Sequence, residues 1–197
     1  MTLRITASAA TSEEAEKILN KGEADVEEIL GGNIYSISGE EPEEVIINRY
    51  INEGKTIAAA ESCTGGMFFE KLTGVPGSSK VLGYGLITYS NEAKQKLFGV
   101  RKETLERFGA VSRETVTEMC IGLKNVSGAS TCVAISGIAG PSGGTEDKPV
   151  GLVYIGILRD GEMKCIECRF NGNRDRIRTL AVCKVMEELL IRPGEQT

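Results

Sequence analysis

The 197-residue chain contains no histidine and no tryptophan. Without imidazole, the Ser-His-Asp and Cys-His devices for activating a nucleophile are excluded, and the commonest nitrogen ligand for metals is missing with them. Hydrolytic chemistry would have to draw its base from a lysine of lowered pKa, a tyrosine, a carboxylate or an all-oxygen metal site. Positive charge is also in deficit: 23 Lys and Arg stand against 28 Asp and Glu, a net charge of -5. A nucleic-acid binder needs clustered cations to displace counterions from phosphates, so no nucleic-acid partner is expected. The arginines of 169–178 are opposed by Glu167 and Asp175 and read as a solvated helix face. Long apolar runs are absent as well. No stretch approaches the ~20 residues of a membrane-spanning helix, and charges stand where a signal peptide needs its apolar segment, so a cytoplasmic protein without a membrane partner is expected.

Six cysteines are present. Cys120, Cys132 and Cys183 sit among apolar residues and read as small buried hydrophobes in a reducing compartment. Cys165 and Cys168 form a lone C-x-x-C on a stretch of strand character, which would point the two sulfurs to opposite faces; zinc is not expected there.

The hydrophobic pattern predicts an α/β protein. Residues 1–40 read as a small β-α-β appendage: a strand at 3–7, a helix opened by Thr11-x-x-Glu14 and carrying Ala15, Ile18, Leu19, Val26, Ile29 and Leu30, and a strand at 34–37. The acidic, proline-bearing stretch 38–44 marks a boundary, with the main domain over 41–197. There, helices alternate with strands at 56–60, 81–89 and 131–136. Strands at 151–158 and 162–170 follow, joined by an Arg-Asp-Gly turn, and a last helix covers 174–190. A hairpin among otherwise parallel strands predicts a three-layer α/β/α sandwich on a mixed, mostly parallel sheet.

Three segments could carry chemistry. AESCTGG (60–66) leaves a buried strand and opens a helix, where free N–H groups welcome an anion; its plain alternative is a helix cap with glycines for packing. It has neither the spacing of a nucleoside-triphosphatase loop nor the dinucleotide fingerprint. TYSNEAK (88–94) puts the phenol of Tyr89 at a strand end and the amine of Lys94 in the first helical turn, where the dipole disfavours its charged form; Lys96 is a built-in control. The loop SGIAGPSGGTEDKPVG (136–151) suits close approach of backbone N–H groups to a ligand, and Arg174 offers a fixed positive charge.

AESCTGG, the GSS of 77–79, TYSNEAK, the GAVS of 109–112, the 136–151 loop and the Arg174 region follow in one order. Together they resemble the C-terminal domain of the CinA (competence/damage-inducible) family, also known as nicotinamide-nucleotide amidase. The resemblance covers about residues 42–190, while residues 1–40 resemble the end of the small linking domain of longer members. It implies a homodimer that hydrolyses nicotinamide mononucleotide to nicotinate mononucleotide and ammonia, with no metal or organic cofactor. Carried over motif by motif, Ser79 would be the nucleophile, Lys94 its general base and Tyr89 the residue that orients or relays the proton. Ser62, Thr64, Gly65, Ser136, Gly137 and Gly140 would line the substrate site, and Arg174 would meet the substrate's charge. Ser62, also at a strand-to-helix turn, is the alternative nucleophile. In NGNR (171–174), Asn173 stands where many relatives carry an aspartate, which loosens the alignment of Arg174. The rival class is a mononucleotide-binding or regulatory protein without turnover.

Overall fold

The structure, a computed structural model, describes residues 2–191. They fall into two compact units, one reaching to Glu40 and one spanning Glu41–Leu190. The first holds helix α1 (Ser12–Leu30), whose N-cap Thr11 accepts the Glu14 N–H as the sequence predicts. The strands expected at 3–7 and 34–37 do not form: both segments lack ladder pairing. A strand exists only through inter-strand hydrogen bonds, and neither of these short stretches pairs with the other. The expected core of α1 is likewise uncovered, with Ile18 50% and Ile29 80% exposed.

The second unit runs α2 (Pro42–Glu53), β1 (Ile57–Glu61), α3 (Met67–Thr73), β2 (Leu82–Ile87), α4 (Asn91–Phe98), α5 (Lys102–Phe108) and α6 (Arg113–Ser127). Then come β3 (Thr131–Gly137), β4 (Leu152–Arg159), β5 (Glu162–Arg169) and α7 (Arg174–Leu190). The sheet order is β2-β1-β3-β4-β5. β1 is parallel to both β2 and β3, whereas β4 and β5 are antiparallel additions, so the sheet is mixed. Asp160 (φ 52°) and Gly161 (φ 89°) both take the left-handed conformation that a tight hairpin with right-twisted strands requires.

Strand alternation divides the core in two. Ile57 and Ala59 of β1 with Val133 and Ile135 of β3 face a cluster completed by α2, α3 and α7, including Phe68, Leu72, Ile177 and Val185. Ala58, Ala60, Cys132 and Ala134 face a second cluster under α4, α5 and α6. Each fully buried large side chain contributes about 1.5–3 kcal/mol. The second face is paved with small residues, so α6 lies close: a Cβ on Gly156 would stand 3.0 Å from Cys120 Sγ and from the Val116 carbonyl. Cys168 belongs to the first cluster and Cys165 packs on the second, the opposite-face arrangement expected of i, i+3 on a strand. Cys183, read from sequence as buried, is exposed on α7: its apolar neighbours Val182 and Val185 turn inward at helical spacing and leave it outside. Among the described residues no helix is long and apolar enough to cross a membrane.

Candidate functional site

The carboxyl ends of β1, β2 and β3 lie side by side, and the turn after each holds one of the motifs. Ser62, the first residue past β1, donates its N–H to the Ile135 carbonyl at 2.9 Å, which extends the pairing with β3 by one residue and fixes the backbone below its hydroxyl. Gly65 (φ 62°) and Gly66 (φ 97°) then turn the chain into α3 through two successive left-handed conformations, which L side chains adopt only at a cost.

The anion site expected at the start of α3 is already filled from within. Glu61, 1% exposed, accepts the N–H groups of Gly66 (2.9 Å), Phe68 (3.2 Å) and Phe69 (2.9 Å) on its two carboxylate oxygens. The helix start therefore serves the protein's own carboxylate, which makes Glu61 the anchor of the SCTGG turn rather than a competitor for substrate. Glu61 was not among the sequence candidates. Its signal was a lone acidic residue ending an otherwise apolar strand. Thr64 is fully buried with no partner for Oγ1 among the described residues, and its carbonyl accepts from Arg178 Nη2 at 2.9 Å; Gly65 is exposed.

Lys94 is delivered by α4. Ser90 caps that helix by accepting the Ala93 N–H at 3.0 Å, and Lys94 follows in the first turn with its side chain directed inward, 1% exposed. Its Nζ lies 2.7 Å from the Thr88 carbonyl, 3.2 Å from Ser62 Oγ and 3.5 Å from the Tyr89 carbonyl. Among the described residues no carboxylate lies within ion-pair distance of this amine. Burial pushes its pKa below the ordinary lysine value, opposed by the neighbouring Cys63 thiol; the positive end of the α4 dipole acts in the direction of burial. Nζ donates to the carbonyls of Thr88 and Tyr89 and to Ser62 Oγ; loss of one proton would leave it a lone pair with which to accept from the Ser62 hydroxyl. Cys63, next in sequence, is no rival nucleophile: burial raises its thiol to about 11, which leaves it protonated at neutral pH.

Ser79 is placed elsewhere. It lies in the 3-10 turn Ser78–Lys80, which leads into β2 at its amino end, whereas Lys94 follows the carboxyl end. A six-residue strand separates them, about 16–20 Å of chain, so within one molecule Ser79 does not meet Lys94. The serine beside the amine is Ser62. The pairing of Ser79 with Lys94 that the resemblance implies is not formed within one chain, because β2 stands between the two residues.

The remaining residues form a rim. Arg174 donates to the Gly140 carbonyl at 2.7 Å and to the Tyr89 hydroxyl at 3.1 Å, which ties the 136–151 loop, α7 and the end of β2 together. The Tyr89 phenol is thus engaged by Arg174, while its backbone carbonyl is the part that faces Lys94. Ser136 follows Ile135, the partner of Glu61, and is therefore level with Ser62; its buried hydroxyl donates to the Ala110 carbonyl at 2.7 Å. Gly137 and Gly140 accommodate β4 and Val150: a Cβ would stand 2.6 Å from Val153 Cγ2 at the first and 2.5 Å from Val150 Cγ1 at the second. Lys148 donates to the Phe108 and Val111 carbonyls and ties this loop to the GAVS segment.

Comparison with known proteins matches this arrangement to one family. The profile described as CinA C-terminal domain matches residues 39–192, and that of the damage-inducible protein CinA KH domain matches residues 1–36. A Clostridium novyi (strain NT) protein with a competence-damage inducible name is 46% identical over 197 residues, covering 98% of this chain and 48% of that protein. A CinA-like protein of Kosmotoga olearia is 47% identical over 179 residues, 91% of this chain and 43% of the relative. The chain thus spans about half the length of the curated relatives it matches. Among solved structures, the competence/damage inducible protein CihA of Agrobacterium tumefaciens aligns with a TM-score of 0.71 at 41% identity, over 77% of this chain and 95% of that one. A CinA superfamily protein of Enterobacter cloacae aligns with a TM-score of 0.73 at 34% identity, over 76% and 89%. With its fold, its motifs and both profiles in agreement, the chain belongs to the CinA family.

Proposed function

We propose that this chain is an amidohydrolase that converts nicotinamide mononucleotide to nicotinate mononucleotide and ammonia, with Ser62 as nucleophile and Lys94 as general base. The observation that carries the reaction class is the buried, carboxylate-free Lys94 amine 3.2 Å from Ser62 Oγ. The choice of substrate rests on the family resemblance, and the exposed Arg174 at the rim supplies a cation suited to its phosphate.

In the proposed reaction the neutral Lys94 Nζ takes the Ser62 proton as Oγ bonds to the carboxamide carbon. The resulting ammonium returns that proton to the amide nitrogen, the C–N bond breaks and ammonia leaves. Water then attacks the Ser62 ester, giving its proton to Nζ; the proton passes to Oγ as the ester bond breaks and nicotinate mononucleotide departs. The cycle needs no oxidant or reductant.

The test is ammonia release from nicotinamide mononucleotide by purified protein. Wild type is expected to turn over, Ser62→Ala and Lys94→Ala to lose at least about 100-fold, and the exposed Lys96→Ala to keep its rate. Equal loss in all three variants would overturn the lysine assignment. Binding of the mononucleotide without ammonia release would instead make the chain a binding protein.

A further inference from the structure

Two buried hydroxyl oxygens, those of Thr64 and Thr88, have no hydrogen-bond partner among the described residues. Thr64 lies in the turn before α3, where the family resemblance already places substrate. Thr88 has no such role. It is fully buried, and a buried hydroxyl without a partner costs stability that valine, with the same branched shape, would avoid. Packing therefore does not explain the oxygen.

The sheet puts that oxygen beside the reactive pair. Thr88 donates its N–H to the Glu61 carbonyl at 2.8 Å, which carries the β1–β2 pairing one residue beyond Glu61 and Ile87. Ser62 and Ser136 extend the β1–β3 pairing by the same step. Three hydroxyl side chains thus stand level on three neighbouring strands, about one strand spacing, ~4.8 Å, apart. Two residues earlier on each strand, Leu86, Ala60 and Ala134 face the cluster under α4, α5 and α6, and alternation turns Thr88, Ser62 and Ser136 to that same side. Lys94 arrives from α4 on this side, and its nearest acceptor is the Thr88 carbonyl at 2.7 Å. One residue therefore presents two oxygens near the amine, of which only the carbonyl is in use.

In its charged form Nζ has three N–H groups and two good acceptors, the Thr88 carbonyl and Ser62 Oγ at 3.2 Å; the Tyr89 carbonyl, at 3.5 Å, stands at the limit of a hydrogen bond. Once Ser62 Oγ is bonded to an acyl carbon its lone pairs are drawn into the ester, and one good acceptor is lost. We infer that Thr88 is a positioning residue for the Ser62–Lys94 pair: its hydroxyl accepts from Nζ whenever Ser62 Oγ does not, and so holds the amine in place through the acyl stage. The acyl stage rests on the proposed reaction; the exchange of acceptors rests on the level row and the unpartnered oxygen.

The test reads Lys94 directly. In the full chain isotope-labelled at lysine Cε, NMR follows the titration of each Nζ, and the signal absent from Lys94→Met identifies the one in the site. The Cys63 thiol is the other titratable group acting on this amine, and with its pKa at about 11 it is neutral at lower pH. In the wild-type background Thr88→Val is expected to leave the Lys94 titration in place. In a Ser62→Ala background the same substitution is expected to lower it by about one to two pH units, the size of one hydrogen bond to a charged group. Thr88→Ser, which keeps the oxygen, is expected to titrate as threonine does in both backgrounds; should Thr88→Val not fold, Thr88→Ala carries the same comparison. Equal effects in the two backgrounds, no effect in either included, would overturn the inference. With ammonia release present, Thr88→Val is expected to lose at least about tenfold in kcat with KM within about twofold, and Thr88→Ser to restore it; an unchanged kcat would likewise overturn the inference. If the titrations couple and wild type releases no ammonia, the amidase reading fails and the exchange of acceptors stands.

Discussion

Replacing Lys94 by methionine separates what this residue does for stability from what it does for chemistry. Its amine is buried, its pKa is lowered by desolvation, and among the described residues no carboxylate offsets its charge. In the unfolded chain the same amine has the ordinary value of ~10.4. Below the folded pKa both states hold the proton, and the folded protein carries the full penalty of a buried charge. Between the folded pKa and ~10.4 the unfolded state alone holds it, so wild-type stability rises with pH by about 1.4 kcal/mol per pH unit for this one proton. Lys94→Met keeps the length and the apolar burial but has no proton to exchange. The difference in unfolding free energy between wild type and variant should therefore be flat at acid pH and turn upward at the folded pKa. On a domain of this size that upturn is roughly 3–5 °C of Tm per pH unit. Urea or thermal unfolding of both proteins at pH 5 to 10 measures it. The acid limb of the ammonia-release profile should rise through the same pH, because the base is the neutral amine. A stability difference that stays flat to pH 10, or a kinetic limb displaced from the thermodynamic one, would refute the assignment of Lys94 as the depressed base.

Glu61→Gln should cost about 2–3 kcal/mol in urea unfolding and lower turnover, since a single amide oxygen cannot replace two carboxylate oxygens on the N–H groups of Gly66, Phe68 and Phe69. Arg174→Gln should raise KM for the mononucleotide by about tenfold or more with a smaller change in kcat, if its charge meets the substrate phosphate. Equal loss in KM and kcat would instead mean that its bonds to Gly140 and Tyr89 shape the site. Gly122→Ala should lower Tm: a Cβ there would stand 2.0 Å from the Phe98 carbonyl, backbone that cannot swing away, so α4 must shift on α6 at a cost of about 1–3 kcal/mol. Because α4 carries Lys94, turnover should fall with it.

The sequence by itself determined the layered α/β fold, because apolar periodicity switches between 2 and 3.6 wherever a strand gives way to a helix, and the Arg159-Asp160-Gly161 turn announces its hairpin. It also bounded the chemistry available: with no histidine, a base has to come from a lysine, a tyrosine, a carboxylate or an all-oxygen metal site. Motif order was enough to name the family. What sequence could not give was distance. Whether Ser62 or Ser79 meets Lys94 depends on which end of β2 each occupies in the assembled sheet, and the ladder of β1 with β2 and β3 brings Ser62 to the amine. The same holds for Glu61, whose carboxylate looks like a solvent-facing charge until the α3 turn folds three N–H groups over it. The strands expected near the amino terminus failed for a related reason: a strand is a pairing, and propensity at 3–7 and 34–37 cannot supply the partner. Local pattern decides what each segment can become, and only tertiary packing decides which side chains share a site, since burial and contact belong to several segments at once.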